Sequence, residues 1–325
     1  MQSALMTARA DGHRTTTGRW LVTGARGLLG RQVVAELARD DRVGGVTAAS
    51  RTDLDITDPA AVRAAVAGHD IVVNTAGYTD ADGAESDEAT ANAVNGHAVT
   101  LLAGACAEAG ARLIHLSTDY VFGGGYDGTR RTPYPEEHPT SPVNAYGRSK
   151  ALGERAVLAL LPEHGYVVRT AWLYGGQGRS FVSTMLRLAA ERDTVNVVND
   201  QWGQPTWSRL LARQLVELGL AATREQAPPG IYHGTSTGEA TWYHLARAVF
   251  ATAGHDPERV RPMNSDALDR PAPRPKYAVL GQRRWRLAGI APQPDWPECL
   301  RMAFASGDLA PPMIRAGAPR RQRPY

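Results

Sequence analysis

The chain has 325 residues, 43% hydrophobic and 21% charged: enough apolar material for a large core, yet without a run near the ~18–20 residues that span a bilayer. A formal net charge of +3 suits an anionic small molecule better than a nucleic-acid surface, which needs a clustered basic face. Cys106 and Cys299 are too few for a disulfide framework and lack the neighbours of a zinc site, so the expected compartment is the reducing cytoplasm.

Residues 1–18 are polar, hold no signal-peptide core, and are expected to be a disordered extension. From Trp20, "RWLVTG", "VGGVTAAS", "DIVVNTAG", "ARLIHLSTD" and "GYVVRTAW" read as strands. Between them "LLGRQVVAELARD", "DPAAVRAAVAG", "NAVNGHAVTLLAGACAEAG" and "YGRSKALGERAVLALL" carry helical periodicity. This alternation predicts an α/β fold, a doubly wound parallel Rossmann sheet over 19–172. Residues 173–306 are rich in Pro, Gly and aromatics and predict mainly a smaller substrate-binding lobe, with some return to the sheet. The tail, 307–325, holds Arg315, Arg320, Arg321 and Arg323 among Pro, Gly and Ala, and is expected to be disordered.

"TGARGLLG" follows the first strand and opens the first helix, with Gly24, Gly27 and Gly30 spaced for a tight turn under a pyrophosphate. Arg26, Leu28 and Leu29 complete that loop. At the end of strand two stands "AASRTDLDITD", where an acidic residue would favour NAD. Arg51, with Arg26, instead offers guanidinium groups to a 2′-phosphate, so NADPH is the expected cofactor, with NADH kept open. Asp55 and Ile56 are placed beside the adenine, and Ala76, Gly77 and Tyr78 after strand three beside the ribose and phosphates.

"HLSTDYVFGG" puts Ser117, Thr118 and Asp119 at the ligand edge of strand four, and "NAYGRSK" opens the next helix with Tyr146 and Lys150 four residues apart. Such residues meet on a helix face whatever their purpose. Beside a nicotinamide, the phenol can protonate a carbonyl oxygen as hydride reaches its carbon, while Thr118 orients that oxygen. Lys150 is one of only two lysines in an arginine-rich chain, which sets it apart from a casual surface charge. It is expected to draw the phenol pKa down from ~10 and to hold the nicotinamide ribose.

These motifs, with "LDITD", "YTDADGAES", "STDYVF", "RTAWLYG", "NDQWGQPT" and "RPAPR", resemble the extended short-chain dehydrogenase/reductase family from about Trp20 to Phe304. The resemblance implies a Thr118, Tyr146, Lys150 triad and reduction of the C4 ketone of a dTDP-4-keto-6-deoxyhexose. It further implies substrate contacts from Ala81, Asp119, Trp172, Trp202, Gln204 and Arg274. Related dehydratases carry Thr-Asp-Glu where this chain has Thr118, Asp119, Tyr120, which argues for plain ketone reduction. Magnesium bridges subunits in some members, but Gln32 and Arg209 stand at the ligand positions, so no metal is expected and a homodimer is left open. Ala278 replaces a usual serine, and the small Gly77 and Ala81 leave room for a 4-ketoreductase of a modified antibiotic sugar. A non-catalytic cofactor-binding subunit is the rival from another class.

Overall fold

In the computed structural model, which describes residues 17–124, 131–176 and 178–309, β1 (Thr17–Thr23) turns alternate side chains to opposite layers. Trp20 and Val22 pack on one face of the sheet and Leu21 on the other, the period of two that a strand buried on both sides requires. β2 (Val43–Ala49), β3 (Ile71–Asn74), β4 (Arg112–Thr118), β5 (Gly165–Thr170) and β6 (Gly230–His233) join it in one parallel sheet of order β6-β5-β4-β3-β1-β2. The chain leaves β1 outward to β2, then returns to the other side of β1 as β3. Their carboxyl ends therefore flank the crevice where such sheets take ligands.

α1 (Leu28–Leu37) and α5 (Ser208–Thr223) cover one face through Leu29, Val33, Leu211 and Leu215. α2 (Pro59–Val66), α3 (Ala98–Ala109) and α4 (Ala145–Leu160) cover the other through Val62, Val99, Leu102 and Val157. Asp58 accepts from the amides of Ala60 and Ala61 to start α2, and Pro59 takes the position where a missing N–H costs nothing. Gly110 ends α3 at φ +68°, a left-handed terminus that spares a side chain its strain.

The smaller lobe is built from helices Phe181–Glu191, Trp242–Thr252 and Trp296–Ala305 around Val182, Leu245, Phe250 and Leu300. α5 and β6 lie between its segments in sequence but belong to the layers of the large sheet. Four-residue β6 is hidden in the Gly- and aromatic-rich stretch, which explains why no strand was read there. Two boundary expectations are corrected. Thr17 and Gly18 already belong to β1, and at the other end Asp308 accepts from Trp207 Nε1 at 2.7 Å while Leu309 is buried. The rest of the expected extensions, including the four tail arginines, lies outside the described residues. Among the described residues no helix is long and apolar enough to cross a membrane.

Candidate active site

The turn from β1 into α1 is a cradle with no room for side chains. Gly24 sits at φ +67°, and a Cβ on Gly30 would lie 2.3 Å from Gly24 O and 2.8 Å from Thr75 Oγ1. α1 opens at Gly27 without a side-chain cap and without an acidic residue in its first turn, so its free amides suit an anion. Arg26 and Arg51 are exposed and form no salt bridge with a described residue, each only within electrostatic reach of a carboxylate, Asp53 and Asp55 respectively. These residues fit a phosphorylated dinucleotide. Leu28 is half-buried, whereas Leu29 turns its side chain into the core and offers only its backbone. Asp55 accepts from Thr57 N and Oγ1 at 2.9 and 2.7 Å, and Ile56 is packed in the core above α2.

Catalytic candidates meet where β4 ends beside α4. Asn144 caps α4 by accepting from Gly147 N at 2.7 Å, which sets the face that Tyr146 and Lys150 share. Lys150, 5% exposed, donates to Leu116 O at 2.5 Å and so ties the helix to the strand carrying Thr118. Tyr146 places its phenol within electrostatic reach of the Thr118 hydroxyl and meets Tyr120 edge-on with ring centroids 5.9 Å apart. Thr118 Oγ1 also bonds Asp119 Oδ1 at 3.1 Å.

The expected lowering of the phenol pKa is reversed here. Burial, outweighing the pull of the Thr118 hydroxyl, pushes Tyr146 well above its ordinary value, and Asp119 and Tyr120 add to the rise. Burial also pulls Lys150 down to about 8 against the opposing charge of Glu154. Asp119 is pushed up to about 7 by burial, against hydrogen bonds from Thr118 and the backbone. At neutral pH the phenol is therefore a proton donor, the state a reduction needs.

Gly77 is exposed, and a Cβ there would lie 3.0 Å from Asn95 Oδ1 and 3.8 Å from Lys150 Nζ, while Ala76 and Tyr78 are half-buried beside it. Ala81 begins the short helix Ala81–Ser86, whose Asp82 pairs with Arg274 at 2.7 Å. Arg274 also donates to Ala272 O and lies within electrostatic reach of Tyr120 on the strand-four turn. Trp172 leaves β5 at φ +46° and stacks on Trp242 at 3.5 Å, with Gly203 leaving space for its ring. Trp202 meets His244 edge-on at 5.5 Å. Gln204 is 2% exposed, and its amide bonds Thr235, Ser236 and both backbone groups of Leu280. Its polar atoms thus join loops within the lobe, and Ala278, with its side chain buried, bonds Trp202 O through its amide.

Three supporting groups were not read from the sequence. A π-helical turn, Ala93–His97, precedes α3 and carries Asn95, which holds Tyr78 N and O, each at 2.9 Å, and Ser149 Oγ at 2.9 Å. Glu154 takes bonds from Ser117 and, doubly, from Arg169. His115 bonds Asn74 at 3.0 Å and is kept neutral by burial and by Lys150. A polar residue in an apolar helix period was the available signal for Asn95 and Glu154.

A dinucleotide cradle facing a Tyr–Lys pair across the carboxyl edge of a parallel sheet defines an oxidoreductase of the short-chain dehydrogenase type. Residues 18–308 match the family described as the RmlD substrate binding domain. The chain belongs to that family. It is 55% identical over 288 residues to a dTDP-4-dehydrorhamnose reductase of Streptomyces griseus, covering 88% of this chain and 93% of the relative. It is 52% identical over 290 residues to a dTDP-4-keto-6-deoxy-D-glucose reductase of Streptomyces niveus, covering 89% and 97%. The crystal structure of dTDP-4-dehydrorhamnose reductase from Bacillus anthracis in complex with NADP superposes with TM-score 0.81 at 34% identity, over 89% of this chain and 99% of that one.

Proposed function

We propose that this chain uses NADPH to reduce the C4 ketone of a dTDP-4-keto-6-deoxyhexose, with dTDP-4-dehydro-L-rhamnose the first-choice substrate. The observation that carries this reading is the convergence of Thr118, Tyr146 and Lys150 beside the glycine cradle. NADPH, when bound, supplies the hydride. The amides of the Gly24–Gly30 turn hold its pyrophosphate, and Arg26 and Arg51 its 2′-phosphate. Lys150 holds the nicotinamide ribose and keeps the region positive. Thr118 grips the ketone oxygen, and Tyr146 gives that oxygen its phenolic proton, a contribution typically worth ~10²–10⁴-fold. Trp172, Trp202 and Arg274 are assigned to the sugar nucleotide, and Gln204 joins loops of the same lobe through Thr235, Ser236 and Leu280. The enzyme is assigned to the cytoplasm.

The test is a panel of dTDP-4-keto-6-deoxyhexoses followed by NADPH absorbance, with products identified by their C4 configuration. Conversion of the L-lyxo ketone to dTDP-L-rhamnose supports the first choice. Near-equal similarity to the Streptomyces niveus reductase, together with the small Gly77 and Ala81, favours one second reading: a 4-ketoreductase of a modified deoxysugar. Preference for the D-xylo ketone would select it, and no turnover of any member would overturn both.

A further inference from the structure

We propose that Asp119 is the proton reservoir of this site, reloading Tyr146 through the Thr118 hydroxyl. This rests on the ketone reduction assigned above and adds a group that acts through another, not on the ketone itself. Asp119 is 3% exposed. Its Oδ1 lies 3.1 Å from Thr118 Oγ1, the Tyr146 phenol lies within electrostatic reach of that hydroxyl, and Oδ2 is buried with no partner among the described residues. A buried carboxylate with an idle oxygen is costly, whereas the neutral acid needs fewer partners and can donate.

The charged surroundings agree. Tyr120 on the same turn and Tyr146 on α4 face Asp119 as neutral phenols, and Arg274 reaches Tyr120 with its charge directed to Asp82. Lys150 is engaged with Leu116 O, so no cation among the described residues pairs with Asp119. After Tyr146 protonates the alkoxide at C4, its phenolate is a strong base, because burial holds the phenol high. The Thr118 O–H proton passes to the phenolate oxygen, and the Asp119 O–H proton passes to Thr118 Oγ1. The substrate has gained one hydride and one proton, Tyr146 and Thr118 are restored, and Asp119 is left as a carboxylate that takes a proton from water. The acid that is finally consumed then titrates near neutrality, where general acids work best.

Asp119→Asn keeps shape and burial but cannot deliver a proton. In the protein without cofactor, infrared difference spectra between ~pH 5 and ~pH 9 should display a protonated-carboxyl C=O band that fades near neutrality and is missing from the variant. With NADPH and substrate, kcat of the variant should fall roughly tenfold or more and lose the decline across neutral pH, leaving only the later one from Lys150. Thr118→Val, which cuts the relay but keeps the carboxyl, should retain the band and lose the neutral-pH decline. No such band in the unmutated protein, or an Asp119→Asn enzyme with unchanged kcat and pH profile, overturns the relay. The infrared readout needs no variant that folds and no turnover, so the relay can fail while the reductase reading stands, and a protein inert towards every keto sugar fails that reading with the band intact.

Discussion

Arg169 embraces Glu154 through Nε and Nη2 at 2.8 and 2.7 Å, and neither side chain is more than 3% exposed. The pair joins β5 to α4 one turn beyond Lys150, and Ser117 completes it with a 2.5 Å bond from the strand that carries Thr118. Removing one partner strands the other charge in a medium that cannot solvate it. Glu154→Ala is therefore expected to cost about 3–5 kcal/mol in urea unfolding. A paired replacement, Glu154→Leu with Arg169→Met, should cost far less, and equal losses would disprove the account.

The glycine cradle predicts a position-specific penalty. Gly30→Ala puts a methyl group against Gly24 O and Thr75, so NADPH should bind at least about tenfold more weakly, roughly 1.4 kcal/mol. Gly45→Ala, which meets nothing within 4 Å, serves as the control. Titration of NADPH fluorescence would measure both, and equal affinities would remove the cradle from the cofactor site.

Arg51 is exposed and has no salt bridge with a described residue, so replacing it should act on the cofactor and leave the fold alone. Arg51→Ala is expected to raise KM for NADPH about tenfold while leaving NADH unchanged, because only the phosphorylated cofactor loses a charge-assisted contact. An equal loss with both cofactors would assign the arginine elsewhere.

Tyr146→Phe keeps the ring that packs on Tyr120 and removes the proton donor. Its melting temperature should stay near that of the unmutated protein while kcat falls by ~10² or more. A rate close to the original would leave the Tyr–Lys spacing a helix-face coincidence.

Stability should carry the signature of two buried groups shifted in opposite senses. Asp119 is raised to about 7, so its contribution is fully present below the unfolded value near ~4 and is lost as pH rises through about 7. Lys150 is lowered to about 8, so the unfolded chain binds the extra proton between about 8 and ~10.4, and stability recovers as pH rises through that window. Urea midpoints from ~pH 4 to ~pH 10 should dip near neutral to mildly alkaline pH. Asp119→Asn should abolish the acid-side fall and keep the alkaline rise.

Strand-helix alternation, the cradle and the Thr, Tyr, Lys order were legible because each is written in local spacing. Tyr146 and Lys150 needed only a helix between them, and Gly24 to Gly30 only a turn. What stayed hidden depends on distant partners. Four-residue β6 has no periodicity of its own and is a strand because β5 pairs with it. Gln204 reads as a polar loop residue and becomes a staple because Thr235, Ser236 and Leu280 arrive from elsewhere. The phenol shift went the other way from the spacing argument, since a neighbouring charge is visible in sequence and desolvation is not.

The π turn at Ala93–His97 makes the site sensitive to chain length as well as residue identity. It accommodates one residue more than an α-helix would across the same span. Deleting a single residue there would let the turn relax to regular pitch over the same span, so the flanking segments keep their register while the side chains inside the turn are re-aimed. Asn95 would lose Tyr78 and Ser149 together, and with them the link from the third-strand loop to the backbone of Tyr146, to which Ser149 donates at 2.8 Å. A one-residue deletion distant from every reacting atom would thus reach the site through the support of Tyr78 and Tyr146, with the flanking helices left in place.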